Sequence, residues 1–137
     1  MGLPSTDEIL EDVAFFDNWE DRYRYIIDLG KALPPMDDAL KTPERLVKGC
    51  QSNVWIEPEF DGARLIFTVG SDAVIVQGLL AVVMAAYQGQ TPAAIINFDI
   101  DSYFKALDLE RHLSPTRGNG LRAMVGRVKA IAQAAQQ

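Results

Sequence analysis

The 137 residues include 19 acidic and 13 basic side chains, a formal net charge of −6, with 48% hydrophobic and 23% charged residues. Those proportions and that length fit one folded domain over 1–137 and exclude a disordered chain, a collagen-like chain and a disulfide-stapled miniature. An acidic average surface repels phosphate backbones, and Lys and Arg are scattered, so no nucleic-acid partner is expected.

In chain order, Ser5 and Glu8 form a capping-box pattern ahead of Ile9, Leu10, Val13 and Phe16, which predicts a helix over about Thr6–Phe16. Asp17-Asn18 offers the next N-cap. Trp19, Tyr23, Ile26, Ile27 and Leu33 then make an amphipathic face that Pro34-Pro35 stops. Met36 to Pro43 reads as an irregular connection. Leu46-Val47 is short enough for an edge strand, and Gly49-Cys50-Gln51-Ser52 reads as a tight loop. Val54 to Phe60 is rich in β-branched and aromatic residues, with Pro58 pointing to an edge or a bulge. Asp61-Gly62 is a hairpin signal leading into Arg64 to Val69, where Leu65, Phe67 and Val69 alternate with Arg64, Ile66 and Thr68. The arrangement expected is a small three-stranded antiparallel sheet with Cys50 in its first hairpin loop.

Helical spacing then returns. Ser71-Asp72 is placed to cap a helix burying Ile75, Leu79, Val82, Val83 and Ala86 and ending near Gly89. Thr91-Pro92 and Ser114-Pro115 each pair a cap with proline at the first helical position. A further short helix is expected at Tyr103, Phe104 and Leu107, and the last helix would turn Leu121, Met124, Val125, Val128 and Ile131 inward. Helices gathered around a small sheet, rather than alternating with strands, predict an α+β fold.

The counts of one cysteine and one histidine restrict the chemistry most. They form no internal disulfide, and they do not supply the four Cys and His ligands of a structural zinc site or the cysteines of an iron–sulfur cluster. No GxGxxG, GxxxxGK[ST] or HExxH pattern is present, so no cofactor of the chain's own and no metal site are expected. The longest strongly apolar stretch, Leu79 to Tyr87, is far short of the ~20 residues of a membrane span. The opening MGLPSTDEIL has no basic or apolar leader region, which reads as a cytoplasmic protein. Cys50 is the main candidate for chemistry. Its neighbours Lys48, Gly49, Gln51, Ser52 and Asn53 are small or polar, so it sits on an accessible loop where a thiolate could act as nucleophile. Lys48 would favour that thiolate modestly. His112, Asp37-Asp38 and Asp99/Asp101 read as structural or capping residues, and Asp72 by itself reads as a helix cap. Arg117, in the first turn of the last helix, stands where a cation is mildly disfavoured, a hint of an outside contact.

The segment Val47-Lys48-Gly49-Cys50-Gln51-Ser52-Asn53-Val54-Trp55 resembles the signature of the SufE family, including its CsdE relatives. Further matches follow the same order: Asn18-Trp19-Glu20, Ser71-Asp72-Ala73, Gln90-Thr91-Pro92, Asn97-Phe98-Asp99 and His112-Leu113-Ser114-Pro115-Thr116-Arg117. The resemblance runs from about Ile9 to Ile131. It implies an α+β fold similar to IscU-type scaffold proteins. It also implies a sulfur-transfer protein in which Cys50 accepts sulfane sulfur, as a persulfide, from a cysteine desulfurase (SufS- or CsdA-like) that carries pyridoxal phosphate. The sulfur would pass on to an iron–sulfur scaffold complex. Such a chain stimulates the desulfurase and is not itself an enzyme. Asp72 and Arg117 fall at motif positions and would serve loop or partner contacts, as would Lys48, Gly49, Gln51 and Ser52. Two other readings stay open: a one-cysteine thiol redox protein of peroxidase type, and a non-covalent adaptor of a desulfurase. The oligomeric state is also open, a homodimer included.

Overall fold

Ser5 starts the first helix with a reciprocal box: its Oγ accepts from the Glu8 N–H while the Glu8 carboxylate accepts from the Ser5 N–H. The structure, a computed structural model, describes residues 2–136; Met1 and Gln137, the two ends of the domain expected over 1–137, lie outside the described residues. This first helix, α1, spans Thr6–Ala14, and Asn18 caps α2, Trp19–Lys31, by accepting from the Asp21 N–H at 2.9 Å. Two short 3₁₀ turns, Asp38–Leu40 and Pro43–Arg45, fill the connection. Strands β1, Val54–Phe60, and β2, Leu65–Ser71, pair antiparallel with Val54 opposite Ser71 and Phe60 opposite Leu65. After β2 the described residues form α3 (Val74–Tyr87), α4 (Pro92–Asn97), α5 (Ile100–Ala106), α6 (Leu109–His112) and α7 (Pro115–Ala135). Thr91, Asp99 and Ser114 cap α4, α5 and α7 through their side-chain oxygens. The α+β class therefore holds. The single turn of α6 is additional; it follows Asp108, held in the left-handed region at φ 59°.

The sheet has two strands, not the three expected. Leu46 makes only an isolated bridge to Trp55, with the Val47 N–H donating to the Val54 carbonyl at 2.8 Å. The reason is local. Pro43–Arg45 winds into a 3₁₀ turn and Gly49 takes φ +96°, so no more than three residues are left to lie extended between them. Nor does a two-stranded sheet show the likeness to IscU-type scaffolds that the resemblance implied. Pro58 is accommodated because it faces Phe67. Both backbone groups of Phe67 are taken by the Gln88 amide, whose Oε1 accepts from the Phe67 N–H at 2.7 Å and whose Nε2 donates to its carbonyl at 2.8 Å. That pair thus makes no ladder bonds, and the missing N–H of proline is lost from the outer edge. Gln77, Gln88 and the Gln90 backbone together cover the free edge of β2.

Helix α3 is buried on nearly every side and forms the centre of the core, packed against α1, α2, α7 and β2. Its approach to α2 is backbone to backbone. A Cβ on Gly30 would stand 2.7 Å from the Gly78 nitrogen, and one on Gly78 would run into the Ile26 carbonyl. Those two glycines let the helices touch. The first turn of α3 differs from the expectation: its N-cap is Ala73 with no side-chain cap, and Asp72 is engaged elsewhere. Ile131, expected in the core, is only half-buried near the end of α7.

Candidate functional site

Cys50 lies on the loop between the Leu46 bridge and β1, and Gly49 just before it requires a backbone angle that glycine alone adopts readily. The turn folds the loop back on α7. The Cys50 Sγ comes within 3.5 Å of the Gly120 carbonyl, to which the S–H donates weakly. A Cβ on Gly120 would lie 3.7 Å from that sulfur, an ordinary contact, so the thiol packs directly on the helix backbone. The cysteine is half-buried, and burial pushes its thiol pKa up. While tucked in, Cys50 is therefore held in its protonated, less nucleophilic form.

The thiol opens on a cleft of about 250 Å³. Val76 and Leu79 of α3 and Met124 of α7 give it an apolar floor, and Ser114, Thr116 and Arg117 at the start of α7 give it a polar mouth. Arg117 has no carboxylate within ion-pairing distance among the described residues. Among the described residues no acidic side chain lines the cleft. A guanidinium and two hydroxyls thus stand at the mouth of a cleft whose thiol, deeper in, is pushed up in pKa by burial.

Of the residues singled out from sequence, Cys50, Gln51, Ser52 and Arg117 line this cleft together. Lys48 and Gly49 are exposed on the loop and do not line it. Asp72 lies outside it, and its position corrects the capping expectation. Its Oδ1 accepts from the Asn53 N–H at 3.2 Å, while the Ser71 Oγ donates to the Asn53 carbonyl at 2.7 Å. These two contacts tie the outgoing end of the Cys50 loop to the junction of β2 and α3. Asp72→Ala is expected to raise hydrogen exchange at the Asn53 amide about five-fold, the loss of a bond worth ~1 kcal/mol. Asp72→Asn keeps an acceptor and should leave exchange near the wild-type rate. An unchanged Asp72→Ala variant would show that the contact does not restrain the loop.

Sequence reasoning missed Ser114, Thr116, Gly120, Val76, Leu79 and Met124 as site residues. Leu79 and Met124 read as core by periodicity, and only tertiary packing shows that they also face the thiol. His112 holds the structure together: its ring stacks on Trp19 at 4.5 Å between centroids, and its Nε2 lies 3.2 Å from Asp108 Oδ2. Among the described residues no cluster of three or more His, Cys, Asp or Glu could hold a metal, and no helix is long and apolar enough to cross a membrane.

Residues 7–132 match the family model described as SufE, an Fe-S metabolism associated domain. The chain is 44% identical over 135 residues to an uncharacterized SufE-like protein of Rhizobium meliloti, covering 96% of each chain. It is 43% identical to another from Rhizobium etli, covering 96% of this chain and 91% of that one. The fold is shared with the solution structure of a hypothetical protein from Thermus thermophilus, at a TM-score of 0.77, 20% identity and coverage of 99% of this chain and 98% of that one. With a family match over almost its whole length and relatives above two-fifths identity, the chain belongs to the SufE family, whose domain is associated with iron–sulfur metabolism.

Proposed function

We propose that this protein is a sulfur carrier: Cys50 takes a sulfane sulfur from a cysteine desulfurase and hands it to an iron–sulfur scaffold. The observation that carries the reading is the setting of the one thiol in the chain, on a loop, half-buried at a cleft with an apolar floor and a cationic mouth. In the transfer, the Cys50 thiolate attacks the terminal sulfur of the desulfurase persulfide. A new S–S bond forms on Cys50, the S–S bond of the desulfurase persulfide breaks, and the desulfurase thiolate leaves and takes up the proton. No net oxidation occurs. The chain needs no cofactor for this step; pyridoxal phosphate belongs to the donor, which liberates the sulfur from cysteine.

The setting serves both ends of the relay. Tucked against Gly120, a persulfide would be shielded from reductants and oxidants by the loop and by the floor of Val76, Leu79 and Met124. Swung outward, the same sulfur leaves the environment that raises its pKa and becomes a competent nucleophile. Arg117 at the mouth would stabilise the anionic persulfide. On this reading the chain works as a carrier and activator of the desulfurase and not as a stand-alone enzyme.

Mass spectrometry tests the reading. After incubation with a cysteine desulfurase and cysteine, the tryptic peptide holding Cys50 should gain the mass of one sulfur atom, and the gain should disappear on reduction. Desulfurase binding with no gain would make the chain an adaptor. Peroxide consumption with no gain would make it a thiol peroxidase.

A further inference from the structure

We propose that Arg127 is a positioning residue for Cys50: by clamping the incoming arm of the loop to α7, it sets how deeply the thiol sits in the cleft. The significance of the clamp rests on the sulfur-carrier reading; its geometry does not. Gly120, Ala123 and Arg127 occupy one face of α7 at spacings of three and four residues. Each meets a successive part of the loop. The Gly120 carbonyl faces the Cys50 sulfur at 3.5 Å, and the Ala123 methyl lies 3.3 Å from where a Cβ on Gly49 would be. Arg127 donates from Nη1 to the Leu46 carbonyl and from Nη2 to the Glu44 carbonyl, each at 3.0 Å. Residues 44–50 are thus laid along roughly 10 Å of helix.

The guanidinium suits this task because its donors form a rigid planar fork that holds two carbonyls at once. Arg127 has no carboxylate partner among the described residues, so its hydrogen bonds are spent on the backbone of the arm. Such charge-assisted bonds are about twice as strong as neutral ones. The arm is separately held to β1 by the Val47–Val54 bond, and the outgoing end of the loop by Ser71 and Asp72. Loss of Arg127 therefore leaves the loop attached to the sheet but free to shift relative to α7. Cys50 lies only four residues beyond Leu46, so that shift reaches the sulfur.

The test follows alkylation of Cys50 by iodoacetamide against pH in the full chain, with no desulfurase present. Among the described residues Arg117 is the one charged side chain lining the cleft, and Lys48 stands exposed two residues before Cys50 on the same loop, so the profile reports desolvation of the thiol and those two cations. Arg127→Ala should be alkylated roughly three- to ten-fold faster at neutral pH, with its profile displaced to lower pH as the thiol becomes better solvated. Arg127→Lys, which presents a point donor to one carbonyl at a time, should fall between that variant and wild type. Arg122→Ala removes a guanidinium of the same helix that pairs with exposed Glu110, and should match wild type. A folded Arg127→Ala protein with the wild-type profile overturns the proposal. Should Arg127→Ala fail to fold, Arg127→Lys decides: a displaced profile supports the clamp and an unchanged one overturns it. Failure of the carrier reading is seen separately, as wild-type protein that gains no sulfur from desulfurase and cysteine.

Discussion

Cys50→Ser is expected to take no sulfur from a cysteine desulfurase and to leave that enzyme at its unassisted rate, while melting close to wild type. The two halves of that result come from different physics. A serine hydroxyl is a far weaker nucleophile toward a sulfane sulfur, and any adduct would lack the S–S bond on which the next transfer depends. Stability is another matter. The S–H of Cys50 is a weak donor at 3.5 Å from the Gly120 carbonyl, and a hydroxyl of similar shape can donate there more strongly. The half-buried position loses little apolar contact, so the change in folding free energy should stay within ~1 kcal/mol. Labelled cysteine in a single-turnover mixture with a desulfurase reads the first half, and thermal melting the second. Label retained on the Cys50→Ser chain would remove Cys50 from the relay.

How far the sequence reveals this site depends on the range of the interactions involved. The caps at Ser5, Asn18, Thr91, Asp99 and Ser114 act within three residues of themselves, and each sets a helix start. The β1–β2 hairpin is similarly local: Asp61 accepts from the Ala63 and Arg64 N–H groups, and Gly62 supplies φ +94°. The third strand failed because two apolar residues satisfy a strand pattern without providing the length to pair. Asp72 was misread because a cap and a contact across the sheet look alike until Asn53, 19 residues away, is brought beside it. Arg127 had no local signature, and Gly120 fell in the family motif with nothing local to say what it touches. Their roles exist only once α7 lies against the Cys50 loop, 70 or more residues distant in the chain.

That dependence of the site on helix packing leads to the variant with the largest expected effect on folding. Gly78→Ala should destabilise the protein by ~3 kcal/mol or more, lowering the melting temperature by about 10 °C. In an open helix the same change would add up to ~1 kcal/mol of stability, because alanine loses less backbone freedom on folding. Here the new methyl would collide with the Ile26 carbonyl, and it would stand 3.0 Å from the Ile26 Cγ2. The carbonyl belongs to the backbone of α2 and cannot swing aside as a side chain tip could. Helices α2 and α3 would have to separate, opening gaps around Ile26, Leu29, Leu79 and Leu80 in the buried core. Gly126→Ala supplies the opposite case: it lies in α7 with nothing within 4 Å of its added methyl, and should raise the melting temperature slightly. Because α3 also carries Val76 and Leu79 into the floor beneath Cys50, its displacement should make the thiol easier to alkylate in whatever Gly78→Ala protein stays folded. A Gly78→Ala chain that melts at or above wild type would show that the two backbones have room to part, and that the contact does not fix the floor of the cleft.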